Sequence, residues 1–123
     1  MKKALIAEDN PVNRELLREL LEMRGFAVTE ASNGVQALEH IGESKPDILL
    51  LDLNMPVLDG FETIKRIRQD LRLSALPVLA VTAYAMRGDR EQILNSGFNG
   101  YLSKPISAID LGSELERLLP IGT

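Results

Sequence analysis

Apolar and polar positions along the chain follow two alternating rhythms. Ala4-Leu5-Ile6-Ala7 is a short uninterrupted apolar run, the pattern of a strand buried on both faces. Pro11 then opens a helical pattern, a position where proline is well tolerated. Leu16, Leu17, Leu20, Leu21 and Met23 recur at three- and four-residue spacing and predict one apolar stripe, closed by Gly25. Phe26 to Glu30 reads as a second strand, Asn33-Gly34 as a turn, and Ala37, Leu38 and Ile41 as the stripe of a second helix before Pro46. Asp47 to Asp52 is the most apolar strand pattern, which predicts a central place in the sheet. Phe61, Ile64 and Ile67 mark a third helix, Pro77 to Thr82 a fourth strand, and Met86 to Ser96 a fourth helix ended by Gly97. Tyr101-Leu102 predicts a short fifth strand. Leu111, Leu115 and Leu118-Leu119 predict a last helix stopped by Pro120.

Five strand–helix units joined by short links imply a parallel sheet covered on both faces by right-handed crossovers. The expected fold class is α/β: a (βα)5, flavodoxin-like three-layer sandwich with sheet order 2-1-3-4-5, occupying residues 1–123 as one domain. Neither a repeat nor a linker interrupts the pattern. A length of 123 residues allows one sizeable core and is short for two.

Composition narrows the class without naming a function. Apolar residues make up 45% and charged residues 26%, ordinary for a globular protein. No apolar run approaches the ~18 residues of a membrane span, and the stretch after Met1-Lys2-Lys3 stops at Glu8, too soon for a signal peptide. The chain has no cysteine, which excludes disulfides and thiolate metal sites and accords with a cytoplasmic location. Its net charge of −4 and lack of a Lys/Arg run argue against direct nucleic-acid binding.

Position is more informative. In an open parallel sheet, sites form beyond the carboxyl ends of the strands. There the first predicted strand is followed by Glu8-Asp9, the third ends in Asp52, the fourth in Thr82, and the fifth precedes Lys104. Three crowded carboxylates repel one another unless a cation is present. Oxygen-only ligands favour a hard ion, which points to Mg²⁺, with Mn²⁺ able to substitute. A carboxylate can act as a nucleophile toward phosphorus, so Asp52 is a candidate to form an acyl phosphate. Lys104 could then offer a charge and Thr82 a hydroxyl to the equatorial oxygens, and the small Ala83 leaves the approach open.

Glu8-Asp9, Asp52 followed by Met55-Pro56 and Asp59-Gly60, Val81-Thr82-Ala83, and Lys104-Pro105 together resemble the signature of response-regulator receiver domains, the CheY-like superfamily, over essentially the whole chain. The resemblance implies that Asp52 is the phosphoacceptor. It implies that Glu8, Asp9, Asp52 and the main-chain carbonyl of Asn54 hold Mg²⁺, with Glu8 acting largely through water. Thr82, Ala83 and Lys104 would contact the phosphoryl group, Thr82 and Tyr101 would form the switch, and the Lys104-Pro105 bond would be cis. Asn54 and Tyr84 border the expected crevice and are candidates for tuning phosphate lifetime. Val81 to Asp89 and Tyr101 to Ser107 are similar to stand-alone receivers of the DivK type, and Glu8 to Arg14 to receivers attached to hybrid histidine kinases. Those groups work in multi-step relays. The implied partners are a histidine kinase or histidine phosphotransfer protein and a downstream protein that reads a changed surface of the fourth helix, fifth strand and fifth helix. The implied protein is a phosphoacceptor rather than an enzyme, with slow self-dephosphorylation.

Rival readings exist for the same residues. A flavin- or nucleotide-binding protein on this fold would present Gly, Ser or Thr to phosphate, where this chain has Glu8-Asp9-Asn10-Pro11. A degenerate receiver acting as a constitutive module would lack a chemical residue, and none is lost. A receiver cut from a larger hybrid kinase or regulator reads the same as a natural stand-alone protein. His40 falls mid-helix as a surface residue, and Arg87, Asp89, Arg90 and Glu91 read as a solvated helix face.

Overall fold

The computed structural model describes residues 1–83 and 87–119, with only the backbone described for Arg87 and Gly88. Met86, Pro120 and Tyr84, all invoked above, lie outside the described residues. In chain order the elements are β1 (Lys3–Ala7), α1 (Pro11–Glu22), β2 (Ala27–Ala31), α2 (Gly34–Glu43), β3 (Ile48–Asp52), α3 (Gly60–Gln69), a 3-10 turn (Leu71–Leu73), β4 (Val78–Thr82), α4 (Arg87–Asn95), β5 (Gly100–Ser103) and α5 (Ala108–Leu118). All strand pairs are parallel and the sheet order is β2-β1-β3-β4-β5, as the sequence implied.

Alternate side chains of the central strands feed two cores. Leu5, Leu49, Leu51, Val78 and Ala80 meet Ala37 and Ile41 of α2, Ile64 and Ile67 of α3 and Ile93 of α4. Ala4, Ile6, Ile48, Leu50, Leu79 and Val81 point to the other side, against Leu17 and Leu21 of α1 and Leu111 and Leu115 of α5. Every residue of β3 and β4 is buried, which explains why these strands read as continuous apolar runs rather than as alternation. Each fully buried leucine stabilises the fold by roughly 1.5–3 kcal/mol, and this centre makes the sheet a rigid frame for whatever stands at its ends.

Several helices begin on a side-chain cap at the carboxyl end of the sheet. Asn10 Oδ1 accepts from the Val12 and Asn13 amides, Asn33 from Gln36, Asp59 from Glu62, and Ser107 Oγ from Asp110. These caps fix how each chain segment leaves a strand and enters a helix, so they set the loops of the site.

The structure moves some expected boundaries. Met23 is not part of the apolar stripe: α1 stops at Glu22, and Met23 is 83% exposed. Leu17 and Leu21 form the buried line, Leu16 sits at its margin, and Met23 is turned away because two residues past Leu21 is the far side of a helix. Gly25, at φ +88°, donates to the Glu22 carbonyl while Phe26 donates to Leu21, a Schellman closure that needs the left-handed residue. Phe26 therefore belongs to this closure and β2 starts at Ala27. Asn33-Gly34 is a helix start rather than a separate turn. Among the described residues no helix is long and apolar enough to cross a membrane.

Candidate functional site

Strand ends β1, β3 and β5 converge on a cluster of opposite charges. Glu8 follows β1 and is 1% exposed; Asp52 ends β3 and is 2% exposed; Asp9 beside them faces solvent. One carboxylate oxygen from each of Glu8, Asp9 and Asp52 lies within 4.8 Å of the others. Lys104, just past β5, reaches in between: its Nζ donates to Asp52 Oδ2 at 3.1 Å and stands 2.8 Å from Glu8 Oε1. That second approach is ionic without hydrogen-bond direction, so Glu8 Oε1 is a buried oxygen with no directed donor. Its other oxygen accepts the Asn10 amide at 3.3 Å, and Asp52 Oδ1 accepts the Asn54 amide at 3.0 Å.

The electrostatics follow from this crowding. Burial first, and then the adjoining Asp52 carboxylate, push Glu8 up to about 7, although Lys104 pulls in the opposite direction. For Lys104, burial lowers the proton affinity, but contact with Glu8 and Asp52 outweighs it and the net shift is upward. The ammonium is therefore held charged between two carboxylates that a single positive charge does not fully balance. A buried carboxylate oxygen without a directed donor, in an oxygen-only donor set, fits a hard divalent cation.

The structure brings together Glu8, Asp9, Asp52 and Lys104, with Asn54, Thr82 and Ala83 at or just beyond the ends of β3 and β4. Asn54 is exposed two residues beyond Asp52. Thr82 is buried at the end of β4, and its carbonyl accepts the Lys104 amide at 2.8 Å. Ala83 follows and is exposed. The Lys104-Pro105 peptide is cis. Tyr101 stands apart from the carboxylates: it pairs in register with Ala80, two residues before Thr82, and its half-buried ring lies 5.4 Å from the Arg90 guanidinium carbon. Tyr84 lies outside the described residues. His40 lines a shallow pocket with Lys3 and Ser44, near the amino end of β1, and takes no part in the cluster.

Three supporting features escape a reading of residue types. Arg14, on α1, donates from one guanidinium nitrogen to the Glu8 carbonyl at 2.9 Å. Gly60 is packed so closely that a Cβ would stand 2.7 Å from the Asp52 carbonyl oxygen and 2.8 Å from the Leu53 Cα. Val57 has φ +69° and is 79% exposed, with the Leu58 amide donating to Pro56 across it at 2.8 Å. That is a γ-turn forced on a β-branched residue, strain of order 1–3 kcal/mol in the loop between β3 and α3. In the sequence, Asp59-Gly60 stood out only within the receiver signature and Arg14 only as the end of the Glu8 to Arg14 stretch, while Val57 left no trace.

Residues 4–116 match the family model of the response regulator receiver domain. The polar-differentiation response regulator DivK of Brucella anthropi is 42% identical over 106 residues, spanning 86% of each chain. Among solved structures, the receiver domain of a sensor histidine kinase from Pseudomonas aeruginosa is 37% identical with TM-score 0.87. The match covers 95% of this chain and 96% of that one, and that structure has a magnesium ion coordinated in its active site cleft. The receiver domain of the Saccharomyces cerevisiae response regulator Ssk1, crystallised with the histidine phosphotransfer protein Ypd1, gives 28% identity and TM-score 0.87, covering 95% of this chain and 88% of that chain.

Proposed function

The chain belongs to the response regulator receiver family of two-component and phosphorelay signalling, and from that premise we propose that Asp52 accepts a phosphoryl group from a phosphohistidine donor. The observation that carries this is the Lys104 ammonium wedged between the buried carboxylates of Glu8 and Asp52 at the carboxyl end of the sheet. A buried acidic cluster with one ammonium has no evident structural return, since apolar residues would fill the space more stably. It has a clear chemical one.

Glu8, Asp9, Asp52 and the Asn54 main-chain carbonyl would hold the cation, Mg²⁺ or Mn²⁺ in this reading. When bound, it supplies the positive charge that offsets carboxylate repulsion and draws the phosphoryl oxygens toward Asp52. Asp52 is aimed by the Asn54 amide on Oδ1, which leaves Oδ2 as the attacking oxygen once Lys104 turns toward the incoming group. The new bond joins that oxygen to phosphorus. The donor's P–N bond breaks, its electron pair returning to the imidazole nitrogen. Lys104 then pairs with a phosphoryl oxygen and the Thr82 hydroxyl donates to another, and Ala83 keeps the entrance clear.

The charged group biases a two-state element. Thr82 is drawn toward the phosphoryl group, the Tyr101 ring turns inward, and the surface of α4, β5 and α5 changes for a downstream protein to read. The donor, a histidine kinase or histidine phosphotransfer protein, docks beside α1; the yeast co-crystal of a phosphotransfer protein with a receiver domain supports that class of partner. Hydrolysis of the acyl phosphate returns the protein to its resting state, and Asn54 and Tyr84 tune the rate through water access. Residues 1–123 act as one receiver unit in this reading.

The test is intact mass spectrometry after incubation with Mg²⁺ and acetyl phosphate. The expected outcome is a one-phosphoryl gain in the wild type, none without Mg²⁺ and none in Asp52→Asn. A gain that persists in Asp52→Asn would overturn the assignment.

A further inference from the structure

The metal-binding carboxylates of the proposed site sit on a backbone that is gripped from both sides, and one grip comes from a side chain outside the cluster. The Glu8 amide donates to the Ala31 carbonyl at the end of β2, at 3.1 Å. Its carbonyl accepts from Arg14 at 2.9 Å. The same guanidinium lies 3.6 Å, through Nε, from Glu30 Oε1, while Glu30 Oε2 accepts from Arg18 at 2.7 Å. Arg14 is about four-fifths buried, with 22% of its side chain exposed, so this is not a solvated surface pair.

We propose that Arg14 is a positioning residue for the divalent-cation site, locking the Glu8 peptide so that the Glu8 and Asp9 carboxylates face Asp52. The argument is geometric. Glu8 is buried to 1% exposure, so its side chain has little freedom of its own and its direction is set by the peptide that carries it. Asp9 leaves the same peptide plane, and turning that plane moves both carboxylates. Ala31 fixes one edge of the Glu8 residue, Arg14 the other, and Glu30 braces Arg14 from the last residues of β2. The planar, forked guanidinium can meet a carbonyl and a carboxylate at once, whereas a lysine ammonium reaching the same place would serve one of them with less directional control. Groups that orient metal ligands without touching the metal commonly affect affinity by about ten- to a hundredfold.

This inference rests on the metal-dependent reading above, so its test separates the two. Mg²⁺ is titrated calorimetrically into the intact wild-type chain and into Arg14→Ala, Arg14→Lys and Glu30→Gln, with the Glu8 and Asn10 amide resonances followed by NMR and thermal unfolding recorded alongside. The expected result is a Kd for Mg²⁺ raised about tenfold in Arg14→Ala. Arg14→Lys should recover part of that loss, Glu30→Gln should show a smaller one, and the Glu8 and Asn10 amides should shift before metal is added. If Arg14→Ala and Glu30→Gln bind Mg²⁺ as tightly as the wild type and merely unfold at lower temperature, Arg14 is only a strut between α1 and β2 and the proposal falls. If the wild type itself binds no Mg²⁺, the metal site fails and the role of Arg14 falls with it. Should Arg14→Ala not fold, the lysine and Glu30→Gln variants still decide the matter.

Discussion

Two partly buried cations stand at opposite ends of the sheet and face different kinds of oxygen. Lys104 meets carboxylates, Asp52 at 3.1 Å and Glu8 at 2.8 Å, at the carboxyl end. Arg68, near the amino ends of β4 and β5, meets backbone and amide oxygens: Gly97 at 2.9 Å, Leu76 at 2.9 Å, Leu73 at 3.2 Å and the Asn99 side chain at 2.8 Å. Burial lowers the proton affinity of Arg68, and among the described residues no carboxylate stands within ion-pair distance of it. The net shift at Lys104 is upward. Carbonyl dipoles are satisfied by the guanidinium and ask for nothing more, so Arg68 rivets α3 to the turns that precede β4 and β5. The carboxylates around Lys104 hold more negative charge than one ammonium cancels, and the proposed cation and phosphoryl site rests on that imbalance. A cation among dipoles serves the fold; a cation among excess carboxylates is the one the proposed chemistry would use.

The sharpest way to break this contrast is to remove each cation in turn. Arg68→Met should cost about 3 kcal/mol of stability, since several charge-assisted hydrogen bonds vanish and their carbonyls lose a partner. Urea unfolding measures that, and Mg²⁺ affinity should stay within about twofold because the sites are far apart. The opposite profile is expected for Lys104→Met: phosphorylation by acetyl phosphate should slow by about a hundredfold, as for loss of one preorganised charge contact, while Mg²⁺ binding persists. A Lys104 variant that phosphorylates at the wild-type rate would place the catalytic charge elsewhere.

A third prediction uses pH. Glu8 titrates near 7 in the fold, above its ordinary value of 4.5, so between these values the folded, metal-free protein holds a proton that the unfolded chain has released. Metal-free stability should therefore fall as pH rises from about 4.5 to 7, a trend that Glu8→Gln removes in thermal melts. A cation competes with the same proton, so Mg²⁺ affinity should climb through pH 7 and level off above it. Calorimetry in buffers of different ionisation heat would report the released proton, and a flat profile would contradict the assignment of Glu8. The smallest effect is expected at Val57, where Val57→Gly relieves the positive φ. Part of that gain is offset by the added freedom of glycine in the unfolded chain, leaving a stabilisation of ~0.5–1 kcal/mol in urea midpoints.

Much of this molecule is legible along the chain, and the reasons are local. β3 and β4 announce themselves as buried strands because every one of their residues is covered, which leaves no polar position before the last, Asp52 and Thr82, to blur the pattern. Glu8, Asp9, Asp52, Thr82 and Lys104 stand out because each follows or ends such a run, and parallel topology sends those ends to one side. The misreadings are equally local in cause. Met23 looks like a stripe residue by type, but two residues past Leu21 it lies on the far side of the last turn of α1 and is exposed. Phe26 looks like a strand residue by type, yet its amide is committed to closing α1.

What the sequence determined by itself was the order of elements and the inventory of chemical groups, since hydrophobic period and strand-end polarity are properties of neighbouring residues. Tertiary structure alone decided that Lys104 sits between Glu8 and Asp52, that Arg14 holds the Glu8 carbonyl, that Arg68 closes the opposite end, and that burial beside Asp52 raises the proton affinity of Glu8. Those facts depend on distances between residues remote along the chain and on exclusion of water. Neither exists until the sheet has formed and the helices have packed against it.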